Sequence, residues 1–412
     1  MPSALHPVGL AAAVLLFATA PLAAQTDTGT ARPTPAPSRR PGSVSVDARG
    51  VVFAAPDSSA EIIMRFRMQL LSTGEKADGQ PLAFNGQVRR LRVRFGGWLM
   101  DPRLTFNLQL SFSRGDQDFA DTGFPNIVRD ASVSYQATKH LRLTAGQAKL
   151  PGNRQRVISS GDLQFAERTI VNNRFNIDRD FLLMGSLRDT VGGKVPVYLT
   201  GVVSNGEGRN AGVTAAGLAY TGRFEVQPFG AFTRGGDDFE GDLEHEPTPK
   251  LALGAVYSKN VNARRTGGQL GATLYAPRTM ETFLADALLK YRGFAVYGEY
   301  ADRSAVNPVT RSTGQPDRAI YVGNGAMVQA SYHIRNAQLE PAFRYAVTAP
   351  DAVLAGVAGT DRQEQVAFNL TRYLKRHRIR TAAEFGWVNT RNEATLVSTR
   401  TYIGRFNIEL GI

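Results

Sequence analysis

Arg90, Arg92 and Arg94 occupy every second position of the run Phe84-Asn85-Gly86-Gln87-Val88-Arg89-Arg90-Leu91-Arg92-Val93-Arg94-Phe95-Gly96-Gly97. A guanidinium keeps its charge at any relevant pH and grips oxyanions through a planar fork of N–H donors. Residues two apart on a β-strand share a face about 6.6 Å apart, so the three form a ladder of roughly 13 Å. Leu91, Val93 and Phe95 take the opposite face. Such a strand needs an apolar solvent on one side and water on the other. The preceding segment repeats the pattern, with Arg65 and Arg67 between Met64, Phe66 and Met68, and Arg142 has matching parity further on. Arg65, Arg67, Arg90, Arg92, Arg94 and Arg142 are therefore the candidate anion-binding residues. The plainer alternative is a set of solvated or salt-bridged arginines. Arg89 has the parity of Leu91 and is expected on the apolar face near a rim, within reach of a lipid phosphate.

The bulk charge agrees. Lys and Arg number 48 against 36 Asp and Glu, a net charge of +12 over 412 residues. That excess suits nucleic acid, anionic lipid or small anions. The first 24 residues narrow the choice. An apolar run from Val8 to Ala20 is followed by Pro21-Leu22-Ala23-Ala24, the pattern of a secretory signal, although residues 1–24 contain no Lys or Arg. An N-terminal membrane anchor is the alternative. Export argues against a nucleic-acid partner. There is no cysteine, so neither disulfides nor thiolate metal sites enter. Residues 25–60, rich in Pro, Thr, Ser and Ala, read as a flexible periplasmic leader. From 61 to 412 the texture is uniform, with no internal boundary.

What positions the arginines is a series of short amphipathic strands. Segments of about ten residues alternate apolar and polar, separated by Gly, Asn, Asp and Pro. Eighteen such segments can be counted, starting near Ile62, Val88, Leu104 and so on to Ser398. The stretch 259–280 breaks the alternation, and removing one pair leaves sixteen. Tight turns such as Met100-Asp101-Pro102 and Tyr291-Arg292-Gly293 alternate with long loops near 72–85, 113–126, 148–178, 234–248 and 303–319. The last segment, Tyr402 to Ile412, alternates to the terminus. Phe95, Trp98, Tyr291, Phe294, Phe385, Trp387 and Tyr402 fall near segment ends, where interfacial girdles lie. No later run is long and apolar enough for a spanning helix. These features together predict an all-β fold, a transmembrane antiparallel barrel of about 16 strands (16–18) with long loops at one end. A soluble propeller would need a repeat of about 40–50 residues, and none is present.

Several longer runs resemble the phosphate-selective porin family typified by porins O and P of Gram-negative outer membranes. They are Arg89-Arg90-Leu91-Arg92, Arg129-Asp130-Ala131-Ser132-Val133-Ser134-Tyr135, Leu141 to Pro151, Ala166-Glu167-Arg168-Thr169-Ile170-Val171-Asn172-Asn173, Ser204-Asn205-Gly206-Glu207-Gly208 and Lys290-Tyr291-Arg292-Gly293-Phe294. The resemblance spans residues 60–412 and is densest between 84 and 210. It implies an outer-membrane barrel, often a homotrimer, that passes small anions by diffusion, phosphate or polyphosphate among them. Arginine predominates over lysine here, unlike the lysine clusters of the most selective members.

In such a barrel, loop 148–178 is expected to fold inward as the constriction, with Lys149, Arg154, Arg156 and Arg168 charging the eyelet and Asp162 and Glu167 offsetting part of that field. Several weak sites in series would allow conduction. Lipid and lipopolysaccharide are the expected surroundings. The acidic run Gly235 to Glu246 lacks calcium-loop spacing and is expected to be a solvated loop, with no metal and no cofactor. No nucleophile elbow, Walker loop or His-Glu-x-x-His motif appears, so no enzyme is predicted. His140, His245, His333 and His377 leave open a barrel lipase. A non-transporting barrel with a structural or adhesion role is the other alternative.

Overall fold

Alternation of apolar and polar residues along each strand drives one closed sheet, because a strand in lipid must pair both of its edges. The computed structural model describes residues 42–47, 49–117, 126–211 and 217–412. Sixteen antiparallel strands form the barrel. They are β1 (Ala60–Ala77), β2 (Ala83–Leu99), β3 (Asp101–Ser111), β4 (Val128–Gln136), β5 (Leu141–Lys149), β6 (Arg179–Val191), β7 (Val195–Ser204) and β8 (Ala219–Val226). The second half comprises β9 (Lys250–Arg265), β10 (Thr273–Tyr291), β11 (Phe294–Ala305), β12 (Gly323–Tyr332), β13 (Leu339–Pro350), β14 (Arg362–Lys375), β15 (Ile379–Arg391) and β16 (Ser398–Gly411). Each strand pairs with the next, and β16 pairs with β1 from Thr401↔Ala77 to Gly411↔Arg67, closing the sheet.

The count resolves to sixteen in the region where the pattern was weakest. Leu270 lies in the turn between β9 and β10, and Phe283 lies within β10, so two expected segments are one long strand with an irregular hairpin. The segment expected near Val213 falls outside the described residues, as does the signal sequence at 1–24. The leader expected over 25–60 is ordered in its last part. Val44–Asp47 and Gly50–Ala54 form a hairpin whose second strand pairs with β1, Val51↔Met64 to Ala54↔Glu61. Val52 is fully buried, and Arg49 is held between Asp47 (3.2 Å) and Glu61 (2.6 Å). Apolar alternation in 44–54 outweighs the leader's Pro-rich composition.

Most long connections lie at one end, which marks it as extracellular. One does not. The segment 227–249 joins the periplasmic ends of β8 and β9, so the loop expected at 234–248 enters from the side of the tight turns. Of the expected girdle residues, Phe95, Tyr291, Phe294, Phe385, Trp387 and Tyr402 keep outward parity. Trp98 pairs with Thr105 and has the lumen parity of Arg92 and Arg94.

Candidate functional site

The segment leaving β5 turns into the barrel. It carries two short helices, α1 (Arg154–Val157) and α2 (Ile170–Phe175). Its apolar residues hold it there. Leu150, Val171 and Phe175 are fully buried against Leu284, Leu288, Tyr297, Ala301 and Ala346 on the inner wall. Phe165 packs with Ala342 and Ala367, under the guanidinium of Arg344 (3.8 Å from the ring centre). Full burial of each such side chain contributes about 1.5–3 kcal/mol. Arg154 pins α1 to the wall through Asp286 (2.5 Å) and Glu225 (2.7 Å), and Arg223 shares both carboxylates at 2.8 Å each. Arg154 is therefore an anchor on the far wall, correcting its expected place in the eyelet.

The periplasmic segment 227–249 enters from the opposite end and meets the first. The Lys290 ammonium donates to the carbonyls of Gly236, Phe239 (2.8 Å) and Gly241, fixing the turn. Glu240 then accepts from Gln155 Nε2 (2.9 Å), the Gln164 amide (2.7 Å) and Gln329 Nε2 (2.9 Å). The acidic run is thus not a solvated loop. Glu240, Asp242 and Glu246 are at most 1% exposed and spent on internal donors. Among the described residues no group of three carboxylates or histidines could hold a metal. Below this junction His245 Nε2 and His333 Nδ1 are 2.9 Å apart, and Tyr373 stacks edge-on between His333 and His377. His140 lies elsewhere, on the β4–β5 turn.

Together the two segments fill the lumen along β8–β15. What remains open is a cavity of about 930 Å³ against the β1–β6 wall. Fourteen of its lining residues are Lys or Arg and three are Asp or Glu. In register, Arg65 faces Arg94 and Arg67 faces Arg92 across β1 and β2. Ten of these cations form two sets. Arg67 pairs with Glu409, Arg92 (2.5 Å) and Arg129 (3.2 Å) with Asp116, Arg156 with Asp178 (2.6 Å), and Arg179 with Asp130 (2.8 Å). The second set has no carboxylate within ion-pair distance among the described residues. Arg94 donates to Asn107 Oδ1, Arg142 to Thr105 Oγ1 and Arg65 to the Arg49 carbonyl. Lys149 donates to the carbonyls of Val157 and Ile158, and Arg168 to those of Gln155 and Ile158. Burial and the nearby charges of Arg156 and Arg90 pull the Arg168 guanidinium well below its ordinary value. An anion at this wall would relieve that repulsion.

Arg90 leaves the open ladder. It is 2% exposed and reaches Gln69 and Glu167. Arg89 is corrected too. The ladder pairs Gln69 with Arg90 and Leu70 with Val88, so Arg89 is the extra residue of a β-bulge. The bulge turns it inward, and it forks onto Glu167 rather than facing lipid. Burial alone would raise Glu167, but the Arg90 and Arg89 charges outweigh it and hold the carboxyl at about 2. A second bulge skips Arg129 between Leu110↔Val128 and Gln109↔Asp130, and it turns Arg129 inward beside Asp130. The pairing of Asp116, in the turn after β3, with two arginines had no sequence signal. Arg129 lies within the run Arg129–Tyr135, where alternation alone gives no sign of an inward turn.

The family model described as phosphate-selective porin O and P matches residues 67–277. No curated protein matches the sequence. Among solved structures, the outer-membrane channel DcaP of Acinetobacter baumannii aligns with a TM-score of 0.52 at 10% identity, over 87% of this chain and 99% of that one. OmpF of Salmonella typhi, solved with daunomycin, aligns at 0.51 and 13% identity, over 86% of this chain and 99% of that one. At such identities the likeness is one of fold.

Proposed function

The chain belongs to the phosphate-selective porin O and P family, and from that membership we propose that this outer-membrane porin passes small anions in preference to cations. One observation carries the reading. Arg65, Arg94, Arg142, Lys149 and Arg168 line the open half of the lumen with no carboxylate within ion-pair distance among the described residues. Fixed positive charge in a narrow passage lowers the barrier to anions and raises it to cations. Because these sites are separate and each is weak, an ion can be handed along rather than trapped. Phosphate fits the guanidinium fork and is one solute of this class. The first 24 residues are proposed as the export signal, followed by a leader that ends at the hairpin starting at Val44. A homotrimer is the proposed assembly.

The test is conductance of purified protein in a planar bilayer under a KCl gradient. The reversal potential is expected to report anion preference, and phosphate should reduce chloride current. Cation preference would sink the reading. The two inward segments favour one competitor, a barrel plugged for a structural role, and the absence of any channel would establish it.

A further inference from the structure

The outward face of β14–β16 changes character abruptly at its extracellular end. Register places Val366, Trp387 and Tyr402 side by side, with Phe368, Phe385 and Gly404 one step below. Trp and Tyr at such a boundary mark the headgroup level. One step above lie Glu364, Asn389 and Arg400, and above them Arg362 beside Arg391. These residues line a groove of about 610 Å³ on the outside of the barrel, separate from the passage.

The groove holds more positive charge than it neutralises. Glu364 pairs with Arg362 at 3.1 Å. Asp78 spends its carboxylate on the Arg400 amide at 2.9 Å. Arg400 Nε donates to Asn389 Oδ1 at 2.7 Å, and its terminal N–H groups have no partner among the described residues. Arg391 is exposed, and its guanidinium has no hydrogen bond or ion pair among the described residues. Lys76, exposed and outward on β1, lies beside Tyr402.

We propose that this groove binds a phosphoryl group of an outer-leaflet glycolipid, lipopolysaccharide. Arg362, Arg391 and Arg400 present forked donors to one tetrahedral oxyanion from two adjacent rows. The occupant is a lipid because of what lies directly beneath. Its acyl chains run down the apolar face of Phe368, Phe385, Leu370 and Phe406, while its phosphate stands one step above the aromatic row. A free anion gains nothing from that face. Arg89, expected to reach lipid phosphate, is instead committed to Glu167 inside.

The experiment uses the whole protein, freed of lipid in detergent, and its thermal transition as ligand is added. Three probes are compared: bis-phosphorylated lipid A, the same lipid with both phosphates removed, and inorganic phosphate. The phosphorylated lipid is expected to raise the transition, and the other two are not. The triple variant Arg362→Gln, Arg391→Gln, Arg400→Gln should bind it roughly tenfold or more weakly, while its reversal potential stays unchanged. Arg391→Gln alone, at an exposed position whose guanidinium has no partner among the described residues, tests the same point should the triple variant fold poorly. Equal stabilisation by the dephosphorylated lipid or by inorganic phosphate overturns the proposal. So does a variant that keeps full affinity, or one that changes only the association of protomers.

Discussion

Along β1–β6 and along β9–β14 the barrel wall obeys the same alternation, yet one half of the lumen is open and the other is packed solid. The difference lies in what points inward. On β1–β5 the inward side chains include Arg65, Arg67, Arg92, Arg94 and Arg142, which repel one another and hold water. On β10 they are Met280, Thr282, Leu284, Asp286, Leu288 and Lys290, and Leu284 and Leu288 are fully buried. Apolar inward positions recruit the apolar residues of the two entering segments. The single charges left among them, Asp286 and Lys290, act as pins: one holds Arg154, the other holds the turn around Phe239. Charge in the closed half pins the protein to itself, whereas in the open half Arg65, Arg94 and Arg142 are left without a carboxylate among the described residues and are the charges proposed to meet solutes.

Removing a pin should therefore have the largest effect. Asp286→Ala leaves two buried guanidiniums, Arg154 and Arg223, to share the single carboxylate of Glu225, so one buried charge is stranded, and breaking a buried pair this way costs about 3–5 kcal/mol. The loss should show as a lowered unfolding midpoint in detergent, new protease cleavage within 150–178, and larger, noisier single-channel currents. A variant with native stability and unchanged currents would mean that the packed half does not depend on this anchor. Replacing Arg154 and Asp286 together by Met and Leu should recover part of the stability, since the stranded charge is then gone.

The second largest effect concerns the periplasmic segment. Burial, with His245 and Arg335 nearby, pushes the His333 imidazole down to about 4. Burial with Arg380 and Lys290 keeps His377 well below its ordinary value. Arg376 and Asp242 also face this cluster. With the segment released these imidazoles take up protons more readily than with it docked, so docking is at full strength above about pH 6.5 and weakens as pH falls toward 4. Protease access to 227–249, measured between pH 7 and 4.5, should rise as pH falls. His333→Gln should flatten the rise, and identical profiles for the two proteins would remove His333 from the latch.

The open half could be read from the sequence and the closed half could not, for a physical reason. Parity assigns a face only when the two faces differ in polarity. Leu91-Arg92-Val93-Arg94 differ strongly, whereas Leu284-Ala285-Asp286-Ala287-Leu288-Leu289 put apolar residues on both sides, so nothing announced an inner core there. Parity also fails at bulges. Arg89 and Arg129 are each the extra residue of one, and both turn inward against the alternation on their strands. The ladder's face and the inward loop were legible, because both follow from local pattern. Which arginines stay unpaired was not, because Glu167 and Asp116 arrive from loops, whose course the alternation along the strands does not set.

That division among arginines gives the finest test. Gln at Arg65, Arg94 and Arg142 removes three uncompensated charges from the passage. It should lower the anion-to-cation permeability ratio about three- to tenfold, equivalent to roughly 0.7–1.4 kcal/mol, without a loss of folding. Arg90→Gln removes a charge of the same sign from the same strand, two turns of the alternation away. There the charge already faces Glu167, and Glu167 keeps Arg89 as a partner. The ratio should then move by less than about twofold, the smallest shift of the series. The two variants differ in whether a carboxylate already answers the charge removed. If Arg90→Gln matched the triple variant, the ion pair to Glu167 would not shield Arg90 from passing anions, and every arginine on the wall would count equally.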